Sequence, residues 1–308
     1  MSTLRQAVAD YLALRRSLGY KLNRAEKLLT QFVGYLEDLG TNTVTTDHAL
    51  AWARLPGGGD SNWRSSRLSV VRGFTTYLRT IDPATQVPPS DMLPWRPKRA
   101  TPYLYSEKEI AALIAAATSL RTPLRIATYQ TLIGLLAVTG MRGGEAIRLD
   151  RGDVDLVAGV LTIRLTKFGK TRELPLHPTS VAALRAYLRE RDRHEPPPTT
   201  ASVFISPAGT RLLYCNVQWT FQRLVRRAGL TARSASCRPR LHDLRHAFAV
   251  HTLLDAYRNG CDVQERLGVL STYLGHVNPA GTYWYLSAAP ELLALAVERL
   301  GQRLEGSQ

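Results

Sequence analysis

The chain has 308 residues, enough for two domains with separate cores, and 40 Lys and Arg against 25 Asp and Glu give it a net charge of +15. Such a cationic excess without a lipid-binding pattern points to nucleic acid as the partner. Cys215, Cys237 and Cys261 form neither a C-x-x-C pair nor an even set, the N-terminus lacks an apolar signal core, and the most apolar run, Leu132 to Val138, is too short to span a bilayer; reduced thiols in a cytoplasmic, nucleoid-associated protein are expected, with no membrane contact.

Residues 3–19 place Leu4, Val8, Tyr11 and Leu12 on one stripe beside Arg15 and Arg16 and stop at Gly19. Residues 22–39 repeat the pattern with Leu28, Leu29, Phe32, Val33 and Leu36. Thr46-Asp47 caps a short helix, Ala49 to Leu55, which Pro56-Gly57-Gly58-Gly59 ends. A fourth helix, about Ser61 to Arg79, points Leu68, Val71, Phe74 and Leu78 inward and carries Arg64, Arg67 and Arg72 as candidate phosphate contacts. A plain helical interaction module is the competing reading of this bundle. From 82 to 102, Pro83, Pro88, Pro89, Pro94, Pro97 and Pro102 forbid regular structure, so the spacing predicts an extended interdomain linker whose Lys98 and Arg99 can lie along a groove.

Ser106 and Glu109 form a capping box that starts a helix through Ala117, and residues 123–139 predict a strongly apolar buried helix. Thr139-Gly140-Met141-Arg142-Gly143-Gly144-Glu145 follows, an Arg–Glu pair three apart behind a glycine turn. Alone, such a pair is usually a surface ion pair. Leu161, Ile163 and Leu165 alternate with Thr162, Arg164 and Thr166, a strand with one buried face, and Arg172 to Leu176 is its return after the Phe168-Gly169-Lys170 turn. Helices are expected at 178–190 and 216–229, with a short buried segment at 203–206. Six arginines between 223 and 240, including Arg226, Arg227, Arg238 and Arg240, have no carboxylate among them and call for a nearby anion.

The densest chemistry lies between Leu241 and Tyr285. In His242-Asp243-Leu244-Arg245-His246 the first His and the Arg are three apart, on one face of a helix. Leu274-Gly275-His276 follows, with His276 thirty-one residues after Arg245, and Tyr285 stands nine beyond His276. In-line attack on a phosphodiester needs these groups: Arg forks onto non-bridging oxygens, His moves or holds a proton, and Tyr supplies a nucleophilic oxygen. His242 and His246 also have the spacing of a zinc helix. Against zinc, Asp243 stands where that motif has Glu, a third His would fall at Thr252, and Arg245 would set a cation beside a dication.

H-x-x-R, then L-G-H, then Tyr at plus nine resembles the C-terminal active-site boxes of the tyrosine recombinase (phage integrase) family. T-G-M-R-G-G-E resembles that family's first arginine box, with Gly143 departing from the apolar residue expected beside the arginine. The resemblance covers the whole chain and is strongest from 139 to 285. It implies a mainly α fold with a small β-sheet: a helical-bundle core-binding domain at 1–82, a Pro-rich basic linker at 83–102, and an α+β catalytic domain at 103–308 with a helical tail. The spacing from Arg245 to His276 implies extra material around 257–270, more like transposon- or plasmid-borne integrases.

The implied roles are phosphate clamping by Arg142 and Arg245, general base for His242, acid for Lys167 (with Lys170 as runner-up), phosphate hydrogen bonding by His276, and nucleophilic attack by Tyr285. Glu145 would orient Arg142. The implied reaction is site-specific DNA recombination through a 3′-phosphotyrosyl bond and a four-way junction, with no metal, cofactor or ATP. The implied partner is double-stranded DNA with inverted-repeat core sites, bound by a homo- or hetero-tetramer on two sites. A catalytically silent DNA-binding relative and a monomeric topoisomerase of the same chemistry stay open. After Tyr285, Pro290 to Leu300 predicts a short apolar helix that docks either on its own domain or on a neighbouring protomer.

Overall fold

The computed structural model describes residues 3–55, 57, 60–95, 100–164, 171–275 and 297. The chain divides into two compact units, residues 1–99 and 100–308. The first is a bundle of α1 (Thr3–Ser17), α2 (Asn23–Asp38), α3 (Thr46–Arg54) and α4 (Ser61–Leu78). Apolar residues at helical spacing close it: Leu29, Phe32 and Leu36 of α2 meet Trp52 of α3 and Leu68, Val71 and Phe74 of α4 in one core. Thr45 caps α3 by accepting from the His48 N–H.

Two expectations for this unit are corrected. Residues 83–95 are not a free linker but fold back on the bundle: Leu93 joins the core, Gln86 donates its N–H to Val44 O, and Ser61 Oγ donates to Pro94 O. The prolines do forbid helix, but an extended proline segment presents unused carbonyls. Arg72 takes two of them, Pro88 O at 2.8 Å and Pro89 O at 2.9 Å, and so ties this segment to α4. Arg67 is the second correction. It is 6% exposed, stacks 3.7 Å over the Trp52 ring and donates to Trp52 O at 2.9 Å. Arg64 is half-buried, with Nη2 3.4 Å from Gly57 O, and Lys98 and Arg99 lie outside the described residues.

In the second unit, Ser106 and Glu109 form both arms of the capping box of α5 (Glu107–Ala116). Thr122 and Pro123 start α6 (Pro123–Thr139), and α7 (Gly143–Arg148) follows after a short turn. The sheet is antiparallel in the order β1 (Val154–Asp155), β2 (Val160–Ile163) and β3 (Arg172–Pro175). Leu161 pairs with Leu174 on the buried face. Then come α8 (Pro178–Asp192), α9 (Tyr214–Arg227), α10 (Asp243–Arg258) and α11 (Val263–Leu274). The 257–270 material is largely α11, capped by Asp262, and its Val263, Leu267, Leu270 and Leu274 pack on Ala249, Val250 and Leu253 of α10. The hairpin tip with Lys167 and Lys170, and His276, Tyr285 and the tail helix (Val297 excepted), lie outside the described residues. No helix among the described residues is long and apolar enough to cross a membrane.

Arg67→Ala removes a buried hydrogen bond and a stacked cation, so the first unit should lose about 2 kcal/mol or more of stability. Thermal unfolding checks this. Unchanged unfolding with weaker DNA binding at low salt would return Arg67 to the phosphate contacts.

Candidate active site

Three turns of the second unit meet at Arg245. α6 ends in Gly140, whose φ of +59° suits a residue without Cβ, and α11 ends the same way in Gly275 at +67°. Arg245, on the first turn of α10 and 2% exposed, donates Nη1 to Gly140 O at 2.8 Å and Nη2 to Leu274 O at 2.7 Å. The guanidinium thus uses the carbonyls left over at two helix ends to fix its own plane.

Arg142 caps α7 and reaches the same place. Its Nη1 donates to Glu145 Oε1 and its backbone N–H to Glu145 Oε2, both at 2.8 Å, while Nη2 lies 3.4 Å from Gly275 O. Glu145 is buried and would resist ionisation there, but bonds from Arg172 and Arg142 outweigh the burial and hold its pKa at about 2. Gly143, where an apolar residue was expected, has a packing reason. A Cβ on it would lie 2.9 Å from Leu241 Cδ2, so the glycine lets the residue before His242 close on α7.

His242 stands at the N-cap of α10 and is exposed, so its ring remains reachable from solvent. Crowding by protein atoms, then the charges of Arg245, Arg142 and Arg240, lower its pKa to about 4. The exposed face tempers the first cause, and three cations carry the direction regardless. His246 packs edge-to-face on His242, with centroids 4.7 Å apart. Asp243, fully buried and with its pKa raised by that burial, is gripped by Arg240 through Nε at 2.9 Å and Nη2 at 2.7 Å. Both oxygens being taken, Asp243 is a poor third partner for a metal on the two histidines.

The basic candidates separate. Arg240 pairs with Asp243, and Tyr105 anchors it by donating to Arg240 O at 3.1 Å. Arg233, one of the six arginines without a local carboxylate, donates to Leu104 O and lies 3.5 Å from Glu109. The expected anion demand is thus met in part by Asp243, just beyond the run, and by Glu109, distant in sequence. Arg226, Arg227 and Arg238 are exposed, and Arg223 lies over the Trp219 ring at 4.9 Å. The sequence reading missed Arg172, which donates to both oxygens of Glu145 at 3.2 and 2.8 Å. Its only signal was an arginine opening the return strand just after the lysine turn.

Residues 104–291 match the Phage integrase family. A Sinorhizobium fredii protein named integrase/recombinase y4rB is 46% identical over 311 residues, 99% of each chain. The tyrosine recombinase XerD of Mycobacterium tuberculosis is 32% identical over 228 residues, 71% of this chain and 67% of its own. Among solved structures, the Tn1549 transposon integrase in complex with transposon right-end DNA aligns over 97% of this chain and 100% of its own, with a TM-score of 0.62 at 18% identity. A lambda integrase tetramer bound to a Holliday junction aligns over 92% and 77%, with a TM-score of 0.54 at 18% identity. At such identities the structural likeness speaks for the fold.

Gly140→Ala should disturb the meeting point from the backbone. The new Cβ would fall 2.4 Å from Phe248 Cδ1 in a left-handed conformation, so stability should drop by about 1–3 kcal/mol. Denaturant unfolding measures it; a wild-type midpoint would mean that the turn accepts a side chain.

Proposed function

The chain belongs to the phage integrase family of tyrosine recombinases, and from that membership we propose a site-specific recombinase that cuts and rejoins DNA through a 3′-phosphotyrosyl intermediate. The observation that carries the reading is the convergence of Arg142 and Arg245 on the turn that ends at Gly275, directly before His276. Two oriented guanidiniums in a site of low polarisability stabilise charge that grows on phosphoryl oxygens. Arg142, with 32% of its side chain exposed, reaches a non-bridging oxygen, and Arg245 supplies fixed charge beside it.

In this mechanism the Tyr285 oxygen attacks phosphorus and the bond from phosphorus to the 5′ oxygen breaks. His242, neutral at pH 7, takes the phenolic proton. Lys167 gives a proton to the departing 5′ oxygen, and His276 donates a hydrogen bond to the phosphate. The phosphotyrosyl linkage conserves the bond energy, so the 5′-hydroxyl of a second duplex can displace the tyrosine without ATP, and the guanidiniums do the charge work a metal would otherwise do. Two such exchanges through a four-way junction need four protomers on two inverted-repeat sites. The first unit serves as the core-binding domain, with exposed cations of both units on the DNA backbone.

The test is a nicked duplex taken from the DNA flanking the gene. Tyr285→Phe should bind it normally and form no covalent adduct on a denaturing gel; an adduct that persists there and vanishes in Tyr283→Phe would reassign the nucleophile. Arg142→Ala should slow cleavage on the order of a hundredfold or more while affinity changes little, and Arg245→Ala should slow it at least as much and also destabilise the second unit, because it leaves Gly140 O and Leu274 O without their buried donor. Cleavage that EDTA abolishes and zinc restores would favour the metal reading instead.

The lowered pKa of His242 has a direction that can be measured. The base stays neutral, and competent, from pH 7 down past the ordinary histidine value, so the acid limb of kcat/KM should lie clearly below about pH 6. An acid limb centred near the ordinary histidine value of about 6.5 would remove His242 from that role.

A further inference from the structure

Arg172 opens β3, two residues after Lys170, and its guanidinium donates to both oxygens of Glu145. Those same oxygens accept from Arg142, one from Nη1 and one from the backbone N–H. Glu145 is therefore a two-sided bracket, with side-chain exposures of 12% for Arg172 and 2% for Glu145 against 32% for Arg142. The less exposed arginine holds the carboxylate, and the more exposed one is held by it. Arg172 also lies flat against the last turn of the site: a Cβ on Gly275 would come within 3.0 Å of its Nη1 and 3.3 Å of its Cζ. Gly275 in turn offers its carbonyl to Arg142.

We propose that Arg172 is a positioning residue for strand transfer, acting through Glu145 to aim the Arg142 guanidinium and through Gly275 to seat the turn that leads into His276. This rests on the reading of Arg142 as the phosphate clamp. With Arg172 gone, both Glu145 oxygens would open to Arg142. Arginine favours a bidentate fork on a carboxylate, so Arg142 would close on Glu145 and turn away from phosphate. Charged and titratable groups facing Glu145 are Arg142 from α7, Arg172 from β3 and His242 from the start of α10.

The experiment is single-turnover cleavage of the same nicked duplex at saturating enzyme, with thermal unfolding and DNA affinity measured alongside. Arg172→Lys keeps the charge and the aliphatic stem but not the fork. It should unfold cooperatively and bind DNA within about threefold of wild type, while the saturated cleavage rate falls about ten- to a hundredfold, as a clamp displaced by an ångström requires. In a Glu145→Gln background the same substitution should cost less than about threefold more, because both changes break one link. An ion pair that only supports the fold would reduce the amount of folded protein and leave the saturated rate alone. An unchanged saturated rate in Arg172→Lys, or losses that multiply in the double variant, overturns the proposal. Should the lysine variant unfold, Arg172→Gln, which keeps one hydrogen bond to Glu145, repeats the same comparison with the same deciding outcomes. Wild-type cleavage by Arg142→Ala would instead sink the clamp reading on its own.

Discussion

A guanidinium at 2% exposure must have its charge and its N–H groups satisfied, and Arg245 meets that demand with main-chain carbonyls from two turns remote in sequence. Each carbonyl belongs to a helix end closed by a left-handed glycine, where main-chain acceptors are unused by the helix. The bond to Gly140 fixes where α6 stops, two residues before Arg142. The bond to Leu274 fixes where α11 stops, two residues before His276. Packing of α11 on α10 through Leu267, Leu270 and Leu274 then keeps that second end in place.

Around this centre the acidic side chains partner the cations. Glu145 lies between Arg142 and Arg172, and Asp243, fully buried in the first turn of α10, holds Arg240. In both cases the carboxylate is the more buried partner and the arginine the more exposed one. That order suits a surface that meets a polyanion, since the fixed negative charges stay below and the positive groups face outward. His242, between these cations, is kept neutral by its neighbours.

Much of the helical architecture can be read in the sequence because its signals are local. Ser106 and Glu109 announce α5, Thr122 and Pro123 announce α6, and the stripe Leu29, Phe32, Leu36 marks the buried face of α2. Arginines are where such reading fails. Arg67 and Arg72 look like solvated charge on an amphipathic helix, yet one stacks on Trp52 and the other holds Pro88 and Pro89. Their partners lie fifteen to seventeen residues away and are main-chain or aromatic, which no local charge pattern reveals. The two-residue strand β1 is too short to show alternation, and α11 was taken only as additional length. In the site, the segment from Thr139 to Glu145 and HDLRH stand out because their residue types are unusual together. Arg172 does not, because its meaning depends on a carboxylate 27 residues earlier in the chain.

The bracketed arginines also set a charge balance. Among the described residues of the site, Arg142, Arg172, Arg240 and Arg245 face only Glu145 and Asp243, with His242 neutral, which leaves two positive charges. A phosphodiester in DNA brings one negative charge. When a phenolate oxygen adds to it, the phosphorane carries two. In the chemistry proposed above the phenolic proton stays in the site on His242, so the net charge is conserved as the phosphorane forms; what changes is that a second negative charge gathers on oxygens beside guanidiniums already fixed in place. Electrostatic relief arrives late along the reaction, where it lowers the barrier instead of deepening the bound state.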